Sequence, residues 1–384
     1  MTRRLFPNPF SGRRAPIALT SYFLLSPEVF LKLLGAPMSA IWRELGKDSL
    51  AKSMEYHRRR GQPPSHRLCN ELLAVIPAGF GMREAFQCAL DAARNGDESA
   101  LNLLVARGMW ATFLDGHHKG APIDEYSYAN RYVLGLEAAL VEPVRLIREG
   151  EFPLVTRALE GAELTEPLLS PDMSSALEAV TSEQQLGPVQ WAITLETALS
   201  HLAAWNASLE GKRGDFPVGD ITPLFEGPAG HRGAPGPKFY RLLMDATKQD
   251  SMMALVNRLS DERGPHRVDL NVETLKRWSS GETLPEQGLI KLIVKKCCPD
   301  QEERILNLLW ATRYLTLLGF VTENLLARMA RRIDALGPTE LFAPWPTFPF
   351  GCDSFQSWCQ KRYPFWYRYH QGLLAAGERS PAAS

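Results

Sequence analysis

Three stretches hold residues whose types and spacing could do chemistry. The densest is Asp115-Gly116-His117-His118-Lys119-Gly120, followed by Asp124-Glu125. Its imidazoles and carboxylates are the groups a metal site or a nuclease would use. Adjacent histidines on a helix point in different directions, so one metal rarely takes both. A polar loop between helices is the plainer reading. His66 and Cys69 lie three apart, which puts a base and a thiol on one helical face. Arg58-Arg59-Arg60, followed by Gly-Gln-Pro-Pro, suits contact with an anion, phosphate included, better than catalysis. The chain holds no HExxH pair, no P-loop, no GxGxxG after a strand and no GxSxG elbow. Cys69, Cys88, Cys297, Cys298, Cys352 and Cys359 form no CxxC and share no zinc-finger spacing with histidines. We therefore expect a protein that is not an enzyme, with no catalytic residues, no cofactor and no metal.

The elements that must carry any site are helices. The 384 residues exceed one ordinary core, so two or three domains are expected. The charges cancel, with Lys plus Arg 43 and Asp plus Glu 43, so a chain that binds nucleic acid must use a local patch. Such a bias exists near the start. Arg3, Arg4, Arg13, Arg14, Lys32, Arg43, Lys47, Lys52, Arg58, Arg59, Arg60 and Arg67 face only Glu28, Glu44, Asp48 and Glu55. That suits an anionic partner; a solvated basic face is the alternative. Pro7, Pro9 and Pro16 argue against an amphipathic presequence helix and leave an N-terminal arm. No apolar run reaches the roughly 18 residues of a membrane span. The best candidate, Ile17 to Leu34, is broken by Ser26-Pro27-Glu28 and Lys32. No membrane partner is expected. Reduced thiols and a cytoplasmic location follow from the cysteine pattern.

From Pro27 to Leu209 apolar residues recur every three or four positions. Tyr132 to Ile147 and Gln190 to Leu209 are the clearest helices, and strands should be rare. The expected class is an all-α, multidomain helical protein. A basic arm and helical domain spans 1–210. A Gly/Pro linker, 211–237, cannot hold a helix. A second helical domain covers 238–337, and an aromatic, proline-rich tail covers 338–384. The tail reads as irregular chain that packs its aromatics back on the body, or as an arm for partners.

The second domain parses into four helices. Lys238 to about Lys248 comes first. Asp250 or Ser251 caps the next, with Met253, Leu255, Val256 and Leu259 inward. Asn271 caps the third, Leu275 and Trp278 hold its inner side, and Gly281 stops it. Pro285 opens the fourth. The run from Thr274 to Pro285, Thr-Leu-Lys-Arg-Trp-Ser-Ser-Gly-Glu-Thr-Leu-Pro, resembles the recognition-helix exit of the Cro/C1-type, phage-repressor-like helix-turn-helix proteins. There the pattern is Thr/Ser-Ile-x-x-Trp-Glu-x-Gly-Lys-x-x-Pro. Thr274, Leu275, Trp278, Gly281 and Pro285 match it. Ser279 replaces the glutamate, Glu282 replaces the lysine, and the turn from Arg263 to Leu270 is longer than the family's. The resemblance is confined to residues 238–297.

What the resemblance implies is a third helix in the DNA major groove, on a transcription regulator that reads paired half-sites as a dimer. Its outward residues are then Val272, Glu273, Lys276 and Arg277. Arg277 would read guanine, Glu273 would accept from cytosine, and Val272 would touch a thymine methyl. Ser280, Thr283 and backbone amides at the start of the fourth helix would hold phosphate, and Arg263 and Arg267 in the long turn would join the DNA-binding residues. Lys291, Lys295 and Lys296 add positive charge. The alternative is a non-catalytic helical subunit of a bacterial-type defence or mobile-element assembly. In that reading the same unit makes a protein contact.

Overall fold

The computed structural model describes Phe23, Arg67 and residues 128–181, 183–209, 212–213, 216–225, 235–260, 270–336 and 349–379. The expectations for Arg58, Arg59, Arg60, His66, Cys69, His117, His118, Asp124, Glu125, Arg263 and Arg267 lie outside the described residues. Apart from turns and one antiparallel ladder of two residues on each side, Lys212–Arg213 (β1) with Phe216–Pro217 (β2), the described chain is helical. Its class is all-α. It falls into two compact units that divide between Leu169 and Ser170.

The first unit's described helices are α1, Tyr128–Glu149, and α2, Phe152–Glu160. In α1, Ala129, Tyr132, Leu136, Leu140, Pro143 and Ile147 recur at three or four residues and are all buried. Gly150 at φ 78° stops the helix, and Glu151 N–H donates back to the Leu146 carbonyl at 2.9 Å. Phe152, Val155 and Leu159 turn α2 inward against α1.

The second unit holds α3, Pro171–Glu178, α4, Glu183–Ser208, and the β1–β2 ladder. It continues with α5, Pro235–Thr247, α6, Met252–Ser260, α7, Val272–Ser279, and α8, Gln287–Cys297. The long α9, Glu302–Leu336, and α10, Phe355–Arg379, complete it. Every residue of α4 from Pro188 to Ala204 is buried. A helix buried on all sides is normally apolar, yet this one carries Glu196 at zero exposure.

α10 answers that charge. Trp358, Arg362, Trp366 and His370 stand four apart, on one helical stripe. Trp358 Nε1 donates to Glu196 Oε1 at 2.5 Å. Arg362 Nε at 2.9 Å and Trp366 Nε1 at 2.8 Å donate to Oε2. All three partners are donors, and both carboxylate oxygens are used. Burial pushes the Glu196 carboxyl above its ordinary range, while Arg362 and the indole donors pull against that shift. The Arg362 guanidinium in turn lies 3.7 Å over the Phe350 ring and 4.2 Å over Phe365. Phe350 holds φ 61°, a left-handed backbone that a bulky residue keeps only when its surroundings enforce it.

One turn further along, Ser200 Oγ and His370 Nε2 pair at 3.0 Å. At the end of α4, Asn206 Nδ2 donates to the Tyr363 hydroxyl at 3.0 Å, and Asn307 Nδ2 of α9 donates to Asn206 Oδ1 at 3.0 Å. Tyr314 of α9 donates to the Ala198 carbonyl at 2.9 Å. The three helices therefore share one satisfied polar seam inside an apolar core.

Two local expectations change. The tail's prolines and aromatics suggested irregular chain, but residues 355–379 form a helix despite the internal Pro364. The stripe that meets α4 outweighs one missing amide. The segment expected as a linker is also packed in part: Val218, Ile221, Leu224 and Phe225 are buried. Gly219 is required there, because a Cβ would fall 1.8 Å from the Asn206 carbonyl oxygen. Pro235 and Pro237, read as linker, are the first turn of α5, where a proline's absent N–H costs nothing.

Two outcomes are expected. Glu196→Ala and Arg362→Ala should each cost about 3–5 kcal/mol in urea unfolding, by stranding the opposite charge. The double variant should cost far less than the sum; additive losses would refute the clasp. The second concerns histidines. Burial lowers His201 from 6.5 to about 4 and His370 from 6.5 to about 3. The unfolded chain therefore binds more protons below 6.5, and stability is present above that value and lost as pH falls. Each histidine should remove about 1.4 kcal/mol per pH unit in this window. Unfolding curves between pH 6.5 and 5 should approach the sum of the two contributions, and His370→Gln should remove about half of that slope.

Candidate nucleic-acid interface

α7 has eight residues, below the roughly 12–15 that sustain an isolated helix. It exists because it is held. Leu275 is fully buried and Trp278 nearly so, against α5 and α6. Asn271 caps the start, its side chain accepting from Thr274 N–H at 2.8 Å. At the exit Gly281 takes φ 73°, and Thr283 N–H donates to the Arg277 carbonyl at 3.2 Å. A Cβ on Gly281 would also lie 3.0 Å from Pro237 Cδ, so the first turn of α5 sits directly on this turn.

The supporting helices differ from expectation in detail. Ser251 caps α6 by accepting from Ala254 N–H at 3.1 Å. Leu255 and Leu259 then face inward, and Met253, expected inward, is 56% exposed. Glu286, rather than Pro285, is the N-cap of α8. Pro285 is buried, and its carbonyl accepts from Arg313 of α9, which ties the start of α8 to the long helix.

The outward side of α7 carries Val272, Glu273, Lys276 and Arg277, with Glu273 and Lys276 exposed and the other two half-exposed. Charges of both signs sit together. Lys276 Nζ is 4.0 Å from Glu273, and Arg277 Nε donates to Glu282 Oε1 at 3.2 Å. Ser280 Oγ donates to the Arg277 carbonyl at 3.1 Å and accepts from Glu282 N–H at 3.4 Å. Thr283 is half-buried. Lys291 and Lys295 are exposed on α8 and Lys296 is half-exposed, while Glu286 is exposed at its start. The turn bearing Arg263 and Arg267 is outside the described residues.

Sequence reasoning missed two arrangements. One is the Glu282 carboxylate on Arg277; the only hint was an acid where the resembled pattern has a lysine. The other is the Glu196 cluster, signalled by one acid in the apolar run of α4 and by the four-residue spacing of Trp358, Arg362, Trp366 and His370. The Ser200–His370 pair has the spacing of a nucleophile and its base, but both side chains have zero exposure, so no substrate reaches it. Among the described residues, no three of His, Cys, Asp and Glu converge as metal ligands. No described helix is long and apolar enough to cross a membrane.

Gly281→Ala should cost roughly 1–2 kcal/mol, through its φ and its contact with Pro237. Asn271→Ala should cost about 1 kcal/mol. In hydrogen exchange both variants should raise rates first at the α7 amides; unchanged α7 protection would overturn the account of how this helix is held.

Searches against protein-family models, curated proteins and solved structures each return no match to this chain.

Proposed function

We propose that the chain is a DNA-binding regulatory protein of the cytoplasm that uses α7 as a recognition helix. One observation carries the reading. α7 is too short to stand alone, is fixed from one side by Leu275 and Trp278, and presents Val272, Glu273, Lys276 and Arg277 on the other. A helix whose inner side only packs and whose outer side is polar and accessible is what major-groove reading requires. Ser280, Lys291 and Lys295 are exposed, and phosphate contacts from them would add sequence-independent affinity. The regulatory outcome and the dimeric state follow the resemblance to phage repressors, whose half-sites are paired.

A second reading has its own support. Lys276 and Arg277 each sit by a carboxylate of the same chain, which weakens the field toward phosphate. A non-catalytic subunit that docks another protein through the same helices would tolerate such pairing.

The two separate in one experiment. Wild type and Arg277→Ala are titrated with a selected duplex pool at several salt concentrations. DNA reading predicts affinity that falls steeply with salt, since phosphate contacts release counterions. It also predicts a loss of about 1–3 kcal/mol, with relaxed base preference at one position, for Arg277→Ala. Salt-insensitive or absent binding, with no effect of Arg277→Ala, would refute it and favour the protein-contact reading.

A further inference from the structure

We infer that Glu282 is a built-in competitor for Arg277, so that its carboxylate must be displaced before the arginine can engage an anionic or guanine-like acceptor. The inference deepens the DNA-binding reading and rests on it. Three observations place Glu282 there by construction. Gly281 at φ 73° reverses the chain, which brings residue 282 back beside the last turn of α7. The turn is fastened to Arg277 itself, whose carbonyl accepts from Thr283 N–H at 3.2 Å and Ser280 Oγ at 3.1 Å. Glu282 N–H donates to Ser280 Oγ at 3.4 Å, and the Glu282 carboxylate then reaches Arg277 Nε at 3.2 Å.

The pair is exposed enough to open. The Arg277 side chain is 36% accessible and that of Glu282 45%. An ion pair at such exposure is weak and screened by salt. Glu282 therefore cannot lock Arg277; it sets a threshold. A ligand that offers only one weak acceptor does not repay its displacement, while a bidentate acceptor does. The competitor lowers affinity everywhere and sharpens discrimination, which is how an unfavourable element produces specificity.

The test uses the full chain with a selected duplex probe. The variants are Glu282→Gln, Arg277→Ala, the two combined, and Glu286→Gln as a control that removes the same charge four residues on. Glu282→Gln should bind the best duplex about 1.5- to 5-fold tighter than wild type. It should lose discrimination against a duplex mutated at the preferred position. Both changes should vanish in the Arg277→Ala background, and Glu286→Gln should produce neither. In the free protein, the Arg277 Nε–Hε signal should exchange with solvent faster in Glu282→Gln than in wild type.

If wild type binds duplex but Glu282→Gln binds no tighter, or its gain survives without Arg277, the competitor is refuted while DNA binding stands. If no variant binds duplex, both are refuted, and a slowed Arg277 Nε–Hε in wild type then marks a purely structural pair.

Discussion

Glu196 is a carboxylate taken wholly out of water inside a helix buried on every side. Burying an ion costs several kcal/mol unless its charge and its lone pairs are both answered. Here the answer is one guanidinium and two indole N–H groups from a single stripe of α10. Sliding α10 by one residue would turn that stripe away and strand the charge, so the register of the two helices is fixed. The other placements follow from it. Tyr363 meets Asn206, Asn206 meets Asn307, and α9 is thereby set against α4. α9 then supports α5 and α8, and α5 holds α7.

The Glu196–Arg362 and Arg277–Glu282 pairs do opposite work because their surroundings differ. Glu196–Arg362 is sealed, so its attraction is strong and its breakage leaves a charge with no solvent. Arg277–Glu282 lies at the surface, where water and salt replace either partner at little cost. A fold can be pinned only by the first kind. A surface that must exchange partners can be built only from the second.

The same contrast explains what the sequence revealed. The α7 cap, its two anchors and its glycine stop lie within eleven residues and act on one another, so local spacing was enough to place them. The α4–α10 clasp joins residues more than 150 positions apart, and no local pattern states which acid meets which arginine. The prolines of the tail obscured α10 because a proline's cost is local, whereas the gain from Trp358, Tyr363 and Trp366 is tertiary. Met253 was misplaced because it lies two residues from Leu255, on the side of α6 opposite the one that Leu255 and Leu259 bury. Val218 to Phe225 was read as linker because it lies within the glycine- and proline-rich stretch 211–237; its apolar residues are buried, and Gly219 lets the chain pass close to Asn206.

The distance between Glu196 and its partners also sets a timetable for synthesis. Trp358 is 162 residues downstream of the acid it binds. At about 5–20 residues per second, a ribosome needs roughly 8–30 s to make that stretch. Throughout that interval α4 is already translated, while Glu196 lacks the guanidinium and the indole donors that answer its charge. The nascent chain must keep this segment solvated or shielded, and only the late arrival of α10 allows it to be withdrawn from water. α10, translated well after α4, is thus the helix that answers the buried charge, so this part of the core cannot close until long after α4 is made.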